Sequence, residues 1–305
     1  VSPNVAVLDC GSNSTRLLIA AGDGRTLERE MRITRLSQGV DATHNLTPEA
    51  LERSYVVLGE YRRLMDDHQV TRGLLVATSA VRDAANGAEF LARASAITGV
   101  PARLLSGEQE AEFSYAGATQ GLGVDPRPTL ILDIGGGSTE FAVRVGAGVQ
   151  GYSMQLGCVR VTERALGPGV VTDASDAATR EMIDVEIDRA FAQMPVLATL
   201  VGRVRLVGLA GTVATLAQID AGLSHYDRDA VHHRLLSRDD VVAWRDRLAS
   251  MTPAQRLAVP GMVPGREDVL VAGLYILNAV MVRVGAEELL SSENDIMDGV
   301  AASLI

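Results

Sequence analysis

Two short runs hold most of the residues in this chain that could do chemistry. Asp9-Cys10-Gly11-Ser12-Asn13-Ser14-Thr15-Arg16 and Asp133-Ile134-Gly135-Gly136-Gly137-Ser138-Thr139-Glu140 align on their aspartates, so that Ser14-Thr15 falls on Ser138-Thr139. A buried apolar stretch leads into each. A tight glycine turn of this kind brings bare backbone N–H groups and small hydroxyls to one point, which suits a phosphate oxygen. Asp9 and Asp133, at equivalent positions beside the turns, are candidate metal ligands. Where oxygens and phosphate share a site, Mg²⁺ is the usual ion, with Mn²⁺ as the alternative. The copies differ in one informative place, because Arg16 stands where the second copy has Glu140. Arg16 could pair a phosphate oxygen. Glu140 could orient water or hold the metal, the plain alternative being a solvated strand residue.

Other reactive side chains are less specific. Glu108, Glu110 and Glu112 lie at the start of a helix, where carboxylates also favour the helix dipole, and spacing alone does not single out Glu110. Arg82 follows a strand-end Ala-Thr-Ser-Ala and could face a cleft. His232-His233, on an extended segment, should point to opposite sides and are read as non-catalytic. Cys10 reads as a small packing residue in a strand. All 28 basic residues are arginine, so no lysine Schiff base and no lysine-dependent phosphate loop can form.

The elements that must position these residues can be read along the chain. Each Asp-x-Gly run predicts strand, turn, strand, with Gly22-Asp23-Gly24 closing a hairpin and two further strands around 27–37. Thr47-Pro48-Glu49 starts a helix with apolar positions Leu51, Tyr55, Leu58, Tyr61 and Met65. A buried strand over 74–78 ends in a loop at 79–82. Asn86 with Glu89, and Ser106 with Gln109, read as capping boxes, and Gly99 as a helix stop. The second half predicts a helix near 175–194, a strand over 206–209 running into Ala210-Gly211-Thr212, and a helix from Ser237. It then predicts helices from about 265 to 285 and from about 295. Strands first and alternation afterwards, in both halves, predict an α/β architecture built by duplication. The segment 121–128 marks the expected boundary between domains 1–121 and 122–305, with the last helix, about 295–305, packing back on the first.

Composition bounds the function classes. The chain has 305 residues, 47% hydrophobic and 22% charged, enough for two globular domains. Its net charge of −10 argues against general nucleic-acid binding, so a polyanionic substrate would need a local basic patch. The longest apolar stretch, 269–282, is too short for a bilayer span of ~20 residues, and no membrane association is expected. Nothing at the N-terminus reads as a signal peptide, and two cysteines without metal-type spacing fit a reducing cytoplasm.

Seven ordered segments carry a further resemblance: 9–19, 77–86, 105–117, 132–140, 154–166, 208–219 and 263–277. In order and wording they are similar to the exopolyphosphatase/guanosine pentaphosphate phosphohydrolase family. The Asp-Cys-Gly opening resembles the short, two-domain actinobacterial form. The resemblance implies duplicated RNase H-like domains of the actin-like ATPase superfamily flanking a central cleft. It implies Glu110 as catalytic base and Glu140 as second catalytic carboxylate, with Gln109 departing from the family's paired glutamates. Gly11, Ser12, Asn13, Ser14, Arg82, Gly135, Gly136, Gly137, Ser138, Gly211, Thr212 and Arg266 match phosphate-lining positions, while Asp9, Asp133 and Glu140 would hold the metal. The implied reaction is hydrolysis of the terminal phosphoanhydride of inorganic polyphosphate, favouring short chains, with a homodimer as a further expectation. Guanosine pentaphosphate is the alternative substrate. A kinase on the same fold, or a non-catalytic polyphosphate or alarmone sensor, are the rivals of other classes.

Overall fold

The computed structural model describes residues 3–305, and the chain packs as two compact units. The first comprises the residues up to Gly117 together with Ile296–Ile305; the second is Ala118–Asp295. Each is an α/β unit built on one mixed sheet.

In the first unit β1 (Val5–Cys10), β2 (Ser14–Ala20) and β3 (Thr26–Ile33) form an antiparallel meander. β4 (Arg72–Ala77) and β5 (Ala102–Leu104) add parallel on the other side of β1, giving the order β3-β2-β1-β4-β5. All six residues of β1 are buried because both faces of the sheet are covered, and its apolar run Val5–Leu8 gives way to Asp9 at the loop end. Ala6, Leu8 and Cys10 face Leu58, Tyr61, Met65 and Phe90 of the helices Pro48–Asp67 and Gly87–Thr98. Val5 and Val7 face Ile296, Met297 and Val300 of the C-terminal helix Ile296–Leu304.

That last helix is held by more than apolar contact. Arg29 donates to both oxygens of Asp298 at 2.6 and 2.7 Å, and Arg72 donates to the Leu304 carbonyl at 2.6 Å. A Cβ placed on Gly299 would lie 2.0 Å from the carbonyl oxygen of Phe113, in the helix Gly107–Ala118. Backbone cannot swing aside as a side chain can. Gly299→Ala is therefore expected to destabilise the protein by about 1–3 kcal/mol, the usual cost of overpacking. Urea unfolding midpoints of the two proteins check this.

The second unit repeats the pattern with β6 (Thr129–Ile134), β7 (Thr139–Val145), β8 (Gly148–Met154), β9 (Arg205–Leu209), β10 (Leu235–Ser237) and β11 (Glu288–Ser291). The order is β10-β11-β9-β6-β7-β8. Without the added edge strand β10, the remaining β8-β7-β6-β9-β11 has the same arrangement as the first sheet. This is the duplicated RNase H-like α/β fold expected. The registers also coincide, since Asp9 pairs across strands with Arg16 and Asp133 with Glu140.

Several local expectations hold. Thr47 caps its helix by accepting from Ala50 N, Ser106 and Gln109 bond reciprocally, and Gly99 ends its helix in the left-handed conformation. Others are corrected. One strand, Thr26–Ile33, stands where two were expected, because residues 34–37 turn back to bond the first glycine loop. Residues 79–82 form a single helical turn. Asn86 makes no cap; its side-chain amide both donates to and accepts from the backbone of Leu46, at 2.9 and 2.8 Å. The helix expected from 265 begins at Leu270, since residues 263–269 are consumed by turns around Arg266. No helix among the described residues is long and apolar enough to cross a membrane.

Candidate active site

The two glycine loops close in the same way. Gly11 N donates to the Ser14 carbonyl and Gly135 N to the Ser138 carbonyl, each at 3.0 Å. What makes them fit for an anion is the fate of their other carbonyls. In the first unit the Ser12 carbonyl accepts from Ser37 N at 2.9 Å. The Asn13 carbonyl accepts from Thr34 N and Arg35 N at 3.1 and 2.9 Å. In the second, the carbonyls of Gly135 and Gly136 accept from the N–H groups of Cys158, Val159 and Arg160, and Gly137's from Arg160 Nε at 2.7 Å. Carbonyl lone pairs that would repel an anion are thus occupied behind the loops, which leaves donors to dominate in front.

Side chains strengthen the pattern. Ser12 Oγ lies 3.0 Å from Ser79 Oγ, which ties the first loop to the turn carrying Arg82. Asn13 Nδ2 and Thr139 Oγ1 are buried with no hydrogen-bond partner among the described residues. Buried polar groups are rarely left so, and an anion or a water is the natural partner.

Glu110 is 5% exposed, in the first turns of the helix Gly107–Ala118. Arg82 Nη1 donates to its Oε2 at 2.9 Å and to the Leu105 carbonyl at 3.0 Å, so the carboxylate is held in one orientation. Asp9 is also buried, and Arg16 meets it with two donors, Nε at 2.9 Å and Nη2 at 2.6 Å. The arginine expected to reach for phosphate therefore neutralises the first carboxylate of its own hairpin. Sequence spacing held the signal, since residues at the two ends of a tight hairpin face each other.

In the second unit the same cross-strand place holds two carboxylates, Asp133 and Glu140. Glu140, 5% exposed, accepts from Ser153 Oγ at 2.6 Å. Like charges directly opposite on a sheet repel, so a divalent cation fits this pair where an arginine serves the other copy. Two carboxylates suit Mg²⁺, which keeps several waters and shares its shell with phosphate oxygens. Among the described residues no three His, Cys, Asp or Glu side chains form an all-protein metal cage.

Gly211, Thr212 and Arg266 are brought together at the start of the helix Ala210–Asp220. A Cβ on Gly211 would fall 1.6 Å from Arg266 Nη1, so the guanidinium lies on the bare Cα. Ala210 has φ +64, and a left-handed residue before a right-handed turn makes successive N–H groups converge. Only glycine adopts that conformation without cost. Ala210→Gly is expected to stabilise the protein by about 1 kcal/mol, as a rise in the urea midpoint would register.

Three contributors were not singled out from sequence: Ser153, Arg160 and Gly157. A Cβ on Gly157 would sit 2.3 Å from the Gly136 carbonyl oxygen, so this glycine lets the chain pass beneath the second loop. Its signal was the Leu-Gly-Cys run at 156–158. Cys158 and Cys10 are fully buried, and burial pushes both thiols up; Asp9 adds to the effect on Cys10, while the nearby Arg266 draws Cys158 partly back. Neither is set up as a nucleophile. His232 and His233 do not point apart. Their rings stack at 3.7 Å because His233 has φ +61, which turns the second ring back onto the first. Burial, with Arg205 and Arg228, holds the His233 ring below the usual histidine range.

Comparison with known proteins is consistent along the chain. The Ppx/GppA phosphatase family model matches residues 18–305. Exopolyphosphatase 2 of Mycobacterium tuberculosis is 37% identical over 316 aligned positions, covering 98% of each chain. A crystal structure of an exopolyphosphatase-like protein superposes with a TM-score of 0.90 at 36% identity, covering 98% of both chains. The Aquifex aeolicus Ppx/GppA family member gives 0.80 at 29% identity, over 99% of this chain and 97% of that one.

Proposed function

Because the chain belongs to the Ppx/GppA phosphatase family, we propose that it is an exopolyphosphatase, releasing the terminal phosphate of inorganic polyphosphate by attack of water. The observation that carries this reading is Glu110, a buried carboxylate fixed by Arg82 at the N-terminal end of its helix. A phosphoryl-binding fold without such a group could bind, but would lack an acceptor for the proton of the attacking oxygen.

The residues divide the work. Glu110 accepts a proton from the attacking water as its oxygen bonds to the terminal phosphorus, and the shortened polyphosphate leaves with the electron pair of the broken P–O bond. In the first unit Asn13 and its loop N–H groups, and in the second Ser138, its loop N–H groups and Arg266, are the donors suited to non-bridging phosphoryl oxygens. Arg82 orients the base. Arg16 keeps Asp9 neutralised, which removes one negative charge from the neighbourhood of a polyanion. Asp133 and Glu140 would hold Mg²⁺ or Mn²⁺, whose chemistry would be to offset charge on the phosphoryl oxygens. Ser153 orients Glu140 for that task.

Phosphate release from short polyphosphate, long polyphosphate and guanosine pentaphosphate, run in parallel with Mg²⁺, tests the reading. Release favouring polyphosphate is expected, and the assay ranks chain lengths. A preference for the nucleotide would replace this substrate by the family's other one. Binding without any release would make the protein a sensor, and release only in the presence of an organic acceptor would make it a kinase.

A further inference from the structure

Arg256 is only 1% exposed, among the largest fully buried side chains of the protein. It lies in the short helix Pro253–Leu257, and among the described residues no carboxylate pairs with it within salt-bridge distance. Its guanidinium instead donates to four backbone carbonyls. Nε reaches Leu248 at 2.8 Å, Nη1 reaches Pro168 at 2.9 Å and Glu267 at 3.2 Å, and Nη2 reaches Gly169 at 2.5 Å. Burying a guanidinium this way costs desolvation, which shows as a lowered affinity for its proton that Asp268 only partly restores. A core needing packing alone would use an apolar residue.

The four carbonyls belong to three segments, and two of these lead to the phosphate site. Pro168 and Gly169 follow the π-helical turn Thr162–Leu166, which continues the helix Cys158–Val161 whose N–H groups occupy the carbonyls of the second glycine loop. Glu267 is the neighbour of Arg266, and its side chain accepts from Gly265 N at 2.6 Å, closing the same turn. Leu248 lies near the end of the helix Arg238–Ala249, a third fixed point. The planar fork thus sets the distance between the wall behind Gly135–Gly137 and the turn that lays Arg266 across Gly211.

We propose that Arg256 is a positioning residue for phosphate binding, acting through Arg266. The inference rests on Arg266 being a phosphate contact. Lysine keeps the charge but presents a single point that cannot span four carbonyls in three segments.

The test is Arg256→Lys in the wild-type and in the Arg266→Ala background. Readouts are kcat and KM for polyphosphate, calorimetric Kd for tripolyphosphate, the unfolding temperature, and the ¹⁵N resonance of Arg266 Nε, assigned by its loss in Arg266→Ala. In the wild-type background KM and Kd should rise about tenfold, the scale of one charge-assisted hydrogen bond, with kcat changed less, and the Arg266 signal should move. In the Arg266→Ala background the same substitution should change Kd less than about twofold, the mark of two residues acting as one unit. Equal effects on Kd in the two backgrounds, or an Arg266 signal that stays in place, would overturn the proposal. If the unsubstituted protein neither binds tripolyphosphate nor releases phosphate, the functional reading fails instead, and the Arg266 resonance still judges the positioning claim.

Discussion

Glu110→Gln lowers phosphate release by about 10²–10⁴-fold, the typical contribution of a general base, with tripolyphosphate binding nearly unchanged. The substitution removes the proton acceptor and the charge of its pair with Arg82 while keeping the shape of the side chain. Glutamine is isosteric, its Oε1 can still accept from Arg82 Nη1, and the reciprocal bonds of Ser106 and Gln109 that start the helix are untouched. The variant should fold and bind as before, and its deficit should fall on kcat. Single-turnover phosphate release, alongside calorimetric binding, separates the two quantities. Activity within a few-fold of the unsubstituted protein would remove Glu110 from the role of base. Weakened binding with an unchanged kcat would recast it as a substrate contact.

Gly157→Ala carries the second large effect, and it comes from a residue with no functional group. The added methyl would stand 2.3 Å from the Gly136 oxygen, 2.4 Å from its carbonyl carbon and 2.6 Å from the carbonyl carbon of Gly137. All three atoms are backbone of the second glycine loop, so relief requires moving the loop itself. Displacements of about 1 Å in a site of this kind can cost 10²-fold, and that is the loss expected in kcat/KM. Stability should fall by about 1–3 kcal/mol. Gly211→Ala makes the instructive contrast. There the clash is with the tip of Arg266, which can swing away. Gly157→Ala should therefore be the more harmful to folding, and Gly211→Ala should act chiefly on anion affinity. Urea unfolding and phosphate release, measured on both variants, distinguish them; a Gly157→Ala protein with normal activity would show that the loop adjusts freely.

The duplicated hairpins differ in the side chains that they set opposite each other. One backbone plan places two side chains opposite each other beside each loop. In the first copy an arginine pairs with an aspartate, while in the second two carboxylates are cross-strand neighbours. For the proposed reaction a symmetric pair of either kind would be poorer, since two ion pairs could hold no cation and two acidic pairs would oppose a polyanion at every contact. The carbonyls of both loops are turned to their own chain, so these charge differences act on a background of similar backbone donors.

What the chain determined by itself is whatever depends on bonds within a few residues. The two Asp-x-Gly turns, the Thr47 and Ser237 caps, the Ser106–Gln109 pair and the Gly99 stop could all be read from residue order, because each is closed by neighbours. The duplication was legible for the same reason: a recurring local pattern predicts a recurring local structure, and the identical loop bonds follow. Resemblance pointed to Glu110, where spacing could not. Tertiary packing alone decided the rest. Whether Arg16 meets a phosphate or Asp9 depends on the geometry of a closed hairpin, and whether Asn86 caps a helix or clasps Leu46 depends on a segment forty residues away. Gly157 beneath Gly136, Arg266 across Gly211 and Arg256 among four carbonyls all join segments that are distant in sequence. Such contacts leave no periodic trace in the chain, because they are set by which faces of which elements bury apolar area together, and only the folded core fixes that.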